Sequence, residues 1–141
     1  MSGYDVARNR QRSKAGQRWL ARKLREAGAM NVRVIGTLGG ADVECVVAIP
    51  GQAHRINWEW KGGLGGQSLS IAAYEALVQA SRSRQHQDIL PIAVLRERAG
   101  SPHVWVCTTT DVLEKIMRNR PVVLLPLDDL LAGLKPPAET P

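Results

Sequence analysis

Three residues in the first half of the chain have types and spacing that could hold a metal ion and meet a phosphate: Asp42, Glu59 and Lys61. In Ala53–Lys61, His54, Ile56, Trp58 and Trp60 alternate with Arg55, Asn57, Glu59 and Lys61. That period of two is the period of a strand, so Glu59 and Lys61 share a face. Asp42 opens a second strand-like run, Ala41–Ile49, and Pro50-Gly51 between the two runs is a turn signal. A hairpin closed symmetrically around Pro50-Gly51 sets Asp42 opposite Glu59, since a loop of even length keeps that facing and an odd one flips one strand. Facing side chains on one side of such a pair lie about 4.5–5.5 Å apart at Cβ. Two carboxylates held that close repel unless a cation sits between them. A hard, oxygen-seeking ion, Mg²⁺ or Mn²⁺, suits the pair. It would acidify a bound water and polarise a phosphoryl oxygen, with Lys61 positioning the water or stabilising the phosphate.

E-x-K on a strand is common as ordinary solvated charge, so the rest of the chain must supply the context. At 141 residues with a formal charge of +6, the sequence reads as one domain with an anionic partner, nucleic acid before membrane surface. No apolar stretch is long enough to span a bilayer, and the first residues are polar and basic rather than signal-like. Cys45 and Cys107 lie in separate apolar runs without metal-type spacing, which predicts buried thiols and fits a reducing, cytoplasmic setting. His54, His86 and His103 form no metal-binding or nucleophile motif. The charge is uneven: Arg8, Arg10, Arg12, Lys14, Arg18, Arg22, Lys23, Arg25 and Arg33 all precede Asp42.

The elements that must position the three residues follow from the pattern. Residues 1–13 read as a basic, mobile arm and 14–125 as the core, with 126–141 a short helix and a disordered, proline-rich tail. Lys14–Ala27 is helical, capped by Ser13 and ended by Gly28, with Ala15, Trp19, Leu20, Leu24 and Ala27 on the apolar stripe. Arg12, Lys14, Arg18, Arg22 and Arg25 are the candidate DNA contacts. A strand at Asn31–Ile35 and a glycine-rich loop at Gly36–Gly40 lead into the hairpin, whose Trp58 and Trp60 face the core. Gly62–Gly66 reads as a connector at the rim of the site. Ser68 or Ser70 then starts a helix to about Arg84 with Ile71, Leu77, Val78 and Ser81 inward, and Tyr74 assigned to the core. Strands follow at Ile89–Leu95, placed at an edge or bulge by Pro91, and at His103–Cys107. A helix over Asp111–Arg118, an extended Pro121–Leu125 and a last turn or two of helix in Pro126–Leu134 complete the core. This is an α/β protein with a mixed sheet flanked by helices.

The αβββαβ order from Lys14 to about Cys107, with Gly40-Ala41-Asp42 followed by Glu59-Trp60-Lys61, resembles the PD-(D/E)XK nuclease superfamily and its restriction-endonuclease-like core. Within it, SKAGQRWLARKLREAG before a short strand and a glycine-rich loop is similar to the archaeal and phage Holliday-junction resolvases. Two departures are plain: Ala41 replaces the family's proline, and Gln17 replaces the glutamate of its first helix. The resemblance implies a metal-dependent DNA endonuclease leaving a 5′-phosphate, acting as a homodimer on branched DNA. It implies Asp42, Glu59 and the backbone carbonyl of Trp60 as metal ligands, Gln17 as a neutral one, and Lys61 as catalytic with the two carboxylates. Glu44 is the nearest spare carboxylate. The alternatives are a DNA-binding module with the fold but little activity, and a nicking or restriction-type enzyme on ordinary duplex.

Overall fold

The computed structural model describes residues 3–35, 42–49, 52–84, 86, 88–98, 100–117 and 125–134, with the side chains of its first helix given from Lys14 onward. Among these the chain runs α1 (Gly3–Glu26), β1 (Met30–Val34), β2 (Val43–Ile49), β3 (Gln52–Gly62), α2 (Leu69–Ser83), β4 (Leu90–Arg96), β5 (Val104–Cys107), α3 (Thr110–Met117), β6 (Leu125–Pro126) and α4 (Leu127–Leu134). The protein is mixed α+β. Its six strands form one sheet in sequence order, β1 to β6. Only β3 and β4 are parallel, and the helix α2 bridges them, as a parallel pair requires. The other neighbours are antiparallel.

The alternation of β3 divides the interior in two. Ile56, Trp58 and Trp60 join Ile92, Val94 and Val106 with Leu20 and Leu24 of α1 and residues of α3 and α4 in one core. Ala93, Leu95 and Cys107 face the other way and pack with Ala72, Ala73 and Ala76 of α2. The face of β3 that carries Glu59 and Lys61 is therefore the α2 face. Asn57 on that face is buried, and its Nδ2 donates to the Ala80 carbonyl at 3.2 Å, tying β3 to α2. Cys45 and Cys107 are buried free thiols, as the sequence predicts. Burial pushes the Cys45 thiol up to about 11, against a smaller opposing effect from the Trp58 indole N–H that donates to it at 3.1 Å. No helix among the described residues is long and apolar enough to cross a membrane.

Several expectations need correction. α1 begins at Gly3, so the expected mobile arm is helical backbone and Ser13 lies inside the helix and not at its start. The buried stripe of α1 is Gly16, Gln17, Leu20, Ala21, Leu24 and Ala27, while Ala15 is exposed. The helix ends as expected: Gly28 takes φ +95°, its N–H donates to the Arg25 carbonyl and the Ala29 N–H to the Leu24 carbonyl. In α2 the stripe against the sheet is small, Ala72, Ala73, Ala76, Ala80 and Ser83. Leu77, Val78 and Ser81 are half-buried, whereas Ile71 is exposed and Tyr74 is 68% exposed. Close approach of the α2 backbone, not side-chain bulk, chose that face. Ser68 is its N-cap, accepting from the Ile71 N–H at 3.4 Å. Pro91 is not at an edge, since β4 lies between β3 and β5. Pairing with β5 begins at Ala93, so Pro91 precedes the stretch bonded on both sides, and its carbonyl accepts from Thr108 Oγ1 at 2.8 Å. The expected loop at Gly36–Gly40, the Pro50-Gly51 turn, the start of the extended segment at Pro121 and the tail from Lys135 lie outside the described residues.

Candidate active site

The register of the hairpin decides which side chains meet. Val43 pairs with Trp58 and Ile49 with Gln52, which leaves Pro50 and Gly51 between the strands. The strand pairing stops at Val43; the Asp42 N–H donates to the Trp58 carbonyl at 3.2 Å, and the Asp42 carboxyl comes beside that of Glu59. The carboxylate of Asp42 then turns back along β3. Its Oδ2 accepts from the Trp60 N–H at 2.8 Å. In an antiparallel ladder a residue turns its N–H and C=O to the same neighbour. Since the Trp60 N–H points to Asp42, its carbonyl lies along that edge too, one residue past Glu59.

The Asp42 and Glu59 carboxyls lie within hydrogen-bonding reach of each other, and both are raised. Burial raises the Asp42 carboxyl, with the Trp60 N–H and the bond from Glu59 pulling the other way. Glu59 is pushed up to about 8, first by burial, then by the charge of Asp42 and the bond to it. Two half-buried carboxylates side by side repel unless a cation or a proton sits between them.

Lys61 shares the face of Glu59. Its Nζ donates to Gln67 Oε1 at 3.4 Å and lies 4.0 Å from Glu75 Oε2. Gln67 in turn donates from Nε2 to both Glu75 oxygens at 3.0 Å. The loop after Lys61 thus returns to hold its ammonium, and α2 contributes the acid that anchors the loop. Sequence reasoning missed Gln67 and Glu75. The serine cap that starts α2 at Leu69 was the available signal, because it places Glu75 two helical turns in.

Gln17 is 6% exposed, and its Oε1 has no hydrogen-bond partner among the described residues. α1 packs against β2 and β3, and the neighbouring Gly16 lies directly on the Trp60 indole, where a Cβ would overlap Nε1 and Cε2. Glu44 is not spare, because it pairs with Arg33 at 3.0 Å. Lys14, Arg18, Arg22 and Arg25 are exposed, and Arg25 also donates from Nη2 to the Val32 carbonyl at 3.1 Å. The Arg12 side chain lies outside the described residues. Trp105 donates from Nε1 to Glu97 Oε1 at 3.0 Å.

The comparisons with known proteins decide nothing further. No family model, curated protein or solved structure matches this chain. What the site can do rests on its own atoms.

Those atoms fit a hard divalent cation in part. Two adjacent carboxylate groups and a strand-edge carbonyl are oxygen ligands, whereas Gln17 belongs to α1, whose Leu20 and Leu24 pack with Trp58 and Trp60 on the other face of β3. Among the described residues no set of three His, Cys, Asp or Glu side chains is placed to hold a metal. The anionic part of the site is therefore a pair, and any third side-chain ligand is neutral. A cleft of about 430 Å³ bordered by Arg33, Glu44 and Arg55 does not include Asp42, Glu59 or Lys61. The carboxylate pair sits at the mouth of the hairpin instead, which suits a polymeric substrate lying across a surface better than a small one enclosed in a pocket.

Proposed function

We propose that this chain is a metal-dependent DNA endonuclease of the PD-(D/E)XK type, built on that superfamily's restriction-endonuclease-like core and acting as a homodimer on branched DNA. The observation that carries the reading is the juxtaposition of the Asp42 and Glu59 carboxyls at the open end of the hairpin, with Lys61 on the Glu59 face. The αβββαβ order, with one parallel strand pair bridged by α2, supports it, as does the basic exposed side of α1.

Asp42, Glu59 and the Trp60 carbonyl would hold Mg²⁺ or Mn²⁺, with Gln17 Oε1 as a neutral fourth donor. When bound, the ion supplies an acidified water and a polarised phosphoryl oxygen. Glu59 must first release its proton, which makes ion binding and deprotonation one equilibrium. The Trp60 N–H keeps Asp42 aimed across the hairpin. Lys61, released from Gln67 and Glu75, presents three donors to the water or to a non-bridging phosphate oxygen. Arg18 and Arg22 hold neighbouring phosphates and fix the register of the duplex.

Gln17 gives weight to a second reading, a DNA-binding module that keeps the fold with little cleavage. One charged ligand fewer weakens the hold on a divalent ion. Incubation with Mg²⁺ and a panel of four-way junctions, flaps and linear duplexes separates the readings. Cleavage of junctions over duplex supports the resolvase, equal cleavage a nicking or restriction-type enzyme, and tight binding without cleavage the module.

A further inference from the structure

Across the sheet from Lys61 stands a cation with no part in the chemistry proposed for the carboxylate pair. Arg96 is the last residue of β4 and pairs in register with Gly62, and its carbonyl accepts from the Gly63 N–H at 2.7 Å. It therefore flanks the strand end that carries Glu59 and Lys61. Its side chain has the parity of Ile92 and Val94 and so lies on the α1 face. There the guanidinium sits 4.8 Å from the Trp19 ring centroid and 5.7 Å from that of Trp60. The two indoles are themselves 5.8 Å apart and tilted by 56°. Nε of Arg96 is buried without an acceptor, and among the described residues no carboxylate pairs with the group. Its neighbour Glu97 is occupied by the Trp105 indole.

A guanidinium stacked on aromatic faces is held in orientation, yet stacking leaves its in-plane donors unsatisfied. A cation with no counter-ion beside a strand end invites an anion from outside. A second cation stands near it: Lys23 Nζ lies 5.8 Å from the same Trp19 ring and makes only a loose pair with Glu26, at 3.8 Å. Trp19 and Lys23 also border a cleft of about 210 Å³ with His103 and Trp105, where Asp128 is the acidic neighbour.

The geometry points to a backbone-phosphate subsite formed by Arg96 and Lys23 around Trp19, on the opposite face of the sheet from Lys61. It rests on the DNA-binding reading and extends it. The strand being cut would be gripped on both sides of the β3 end, by Lys61 on one and by Arg96 and Lys23 on the other. A site for planar bases is the poorer fit, because the Trp19 ring already carries Arg96, Lys23 and Trp60.

The test is equilibrium binding of a double-stranded oligonucleotide in EDTA over a range of salt, so that cleavage plays no part. Arg96→Gln and Lys23→Gln are each expected to lower the magnitude of the log K against log salt slope by about 0.9, the value for one phosphate neutralised. Arg96→Lys should keep the slope. Thermal melting reports whether each variant is folded, and Lys23→Gln, at the surface, decides alone if Arg96→Gln is not. Wild-type slopes in the folded glutamine variants overturn the subsite and leave the nuclease reading untouched. A wild-type protein that does not bind DNA overturns both, whereas one that binds without cutting leaves the subsite standing.

Discussion

The Trp60 N–H donates to Asp42 Oδ2 at 2.8 Å, so the residue after Glu59 holds the partner of Glu59 in place. The same Trp60 packs its indole on Trp19 and Gly16 of α1. One residue therefore joins the placement of the first helix to the geometry of the carboxylate pair. Disturbance of the helix packing should be felt at the site.

Gly16→Ala tests that link. The added methyl would overlap Nε1 and Cε2 of Trp60, so α1 or the ring must shift. Overpacking of this kind costs about 1–3 kcal/mol. The expected result is a lower melting temperature together with a fall in cleavage beyond what the unfolded fraction explains. Wild-type melting would show that the ring has room to move.

Stability without metal should depend on pH through Glu59. Its carboxyl is raised from 4.5 to about 8 in the folded protein, so the native state binds this proton more tightly than the unfolded chain. The contribution is then fully present below about 4.5 and is lost as pH rises through about 8. Denaturant midpoints should fall across that window, and Glu59→Gln should flatten the fall. Mg²⁺ should raise the midpoint more at pH 8 than at pH 6, since the ion replaces the proton. A midpoint that rises with pH throughout would mean the two carboxyls are not coupled.

The hairpin register, from Val43–Trp58 to Ile49–Gln52, was legible in the sequence because strand alternation and an even loop leave one facing. That pairing needed nothing from the rest of the fold. What stayed hidden depends on helix placement. Nothing in the residue types says that α2 approaches on Ala72, Ala76 and Ala80 rather than on Ile71, since a small stripe carries little hydrophobic signal and wins only through close backbone approach. Gly16 on the buried side of α1 was obscured in the same way. Arg96 gave no signal at all, because its meaning comes from two tryptophans far away in sequence.

Gln17→Glu should restore a charged ligand and lower the Mg²⁺ concentration for half-maximal cleavage. It would bring a third carboxyl to a pair already raised by burial, so the metal-free protein should melt lower above neutral pH. Superimposed Mg²⁺ titrations would mean that the unpartnered amide oxygen does not face the metal.

The exposed side of α1 should set much of the salt dependence. Replacing Arg18, Arg22 and Arg25 by Gln should weaken binding to all sequences alike and reduce the slope by about 0.9 for each phosphate left without its cation. Binding that weakens for one sequence and not another would point to base recognition instead. An unchanged slope would make this face solvated charge.

The most direct measurement is the cleavage rate of a four-way junction and of its linear arms, with Mg²⁺ and with EDTA, for the wild type and for Asp42→Asn, Glu59→Gln and Lys61→Ala. The expected result is Mg²⁺-dependent cutting by the wild type, at least about a hundredfold slower in each variant, as removal of a group acting on the transition state implies. DNA binding and melting should be largely kept in all three. A folded Glu59→Gln protein that cuts at the wild-type rate would contradict the assignment of this site.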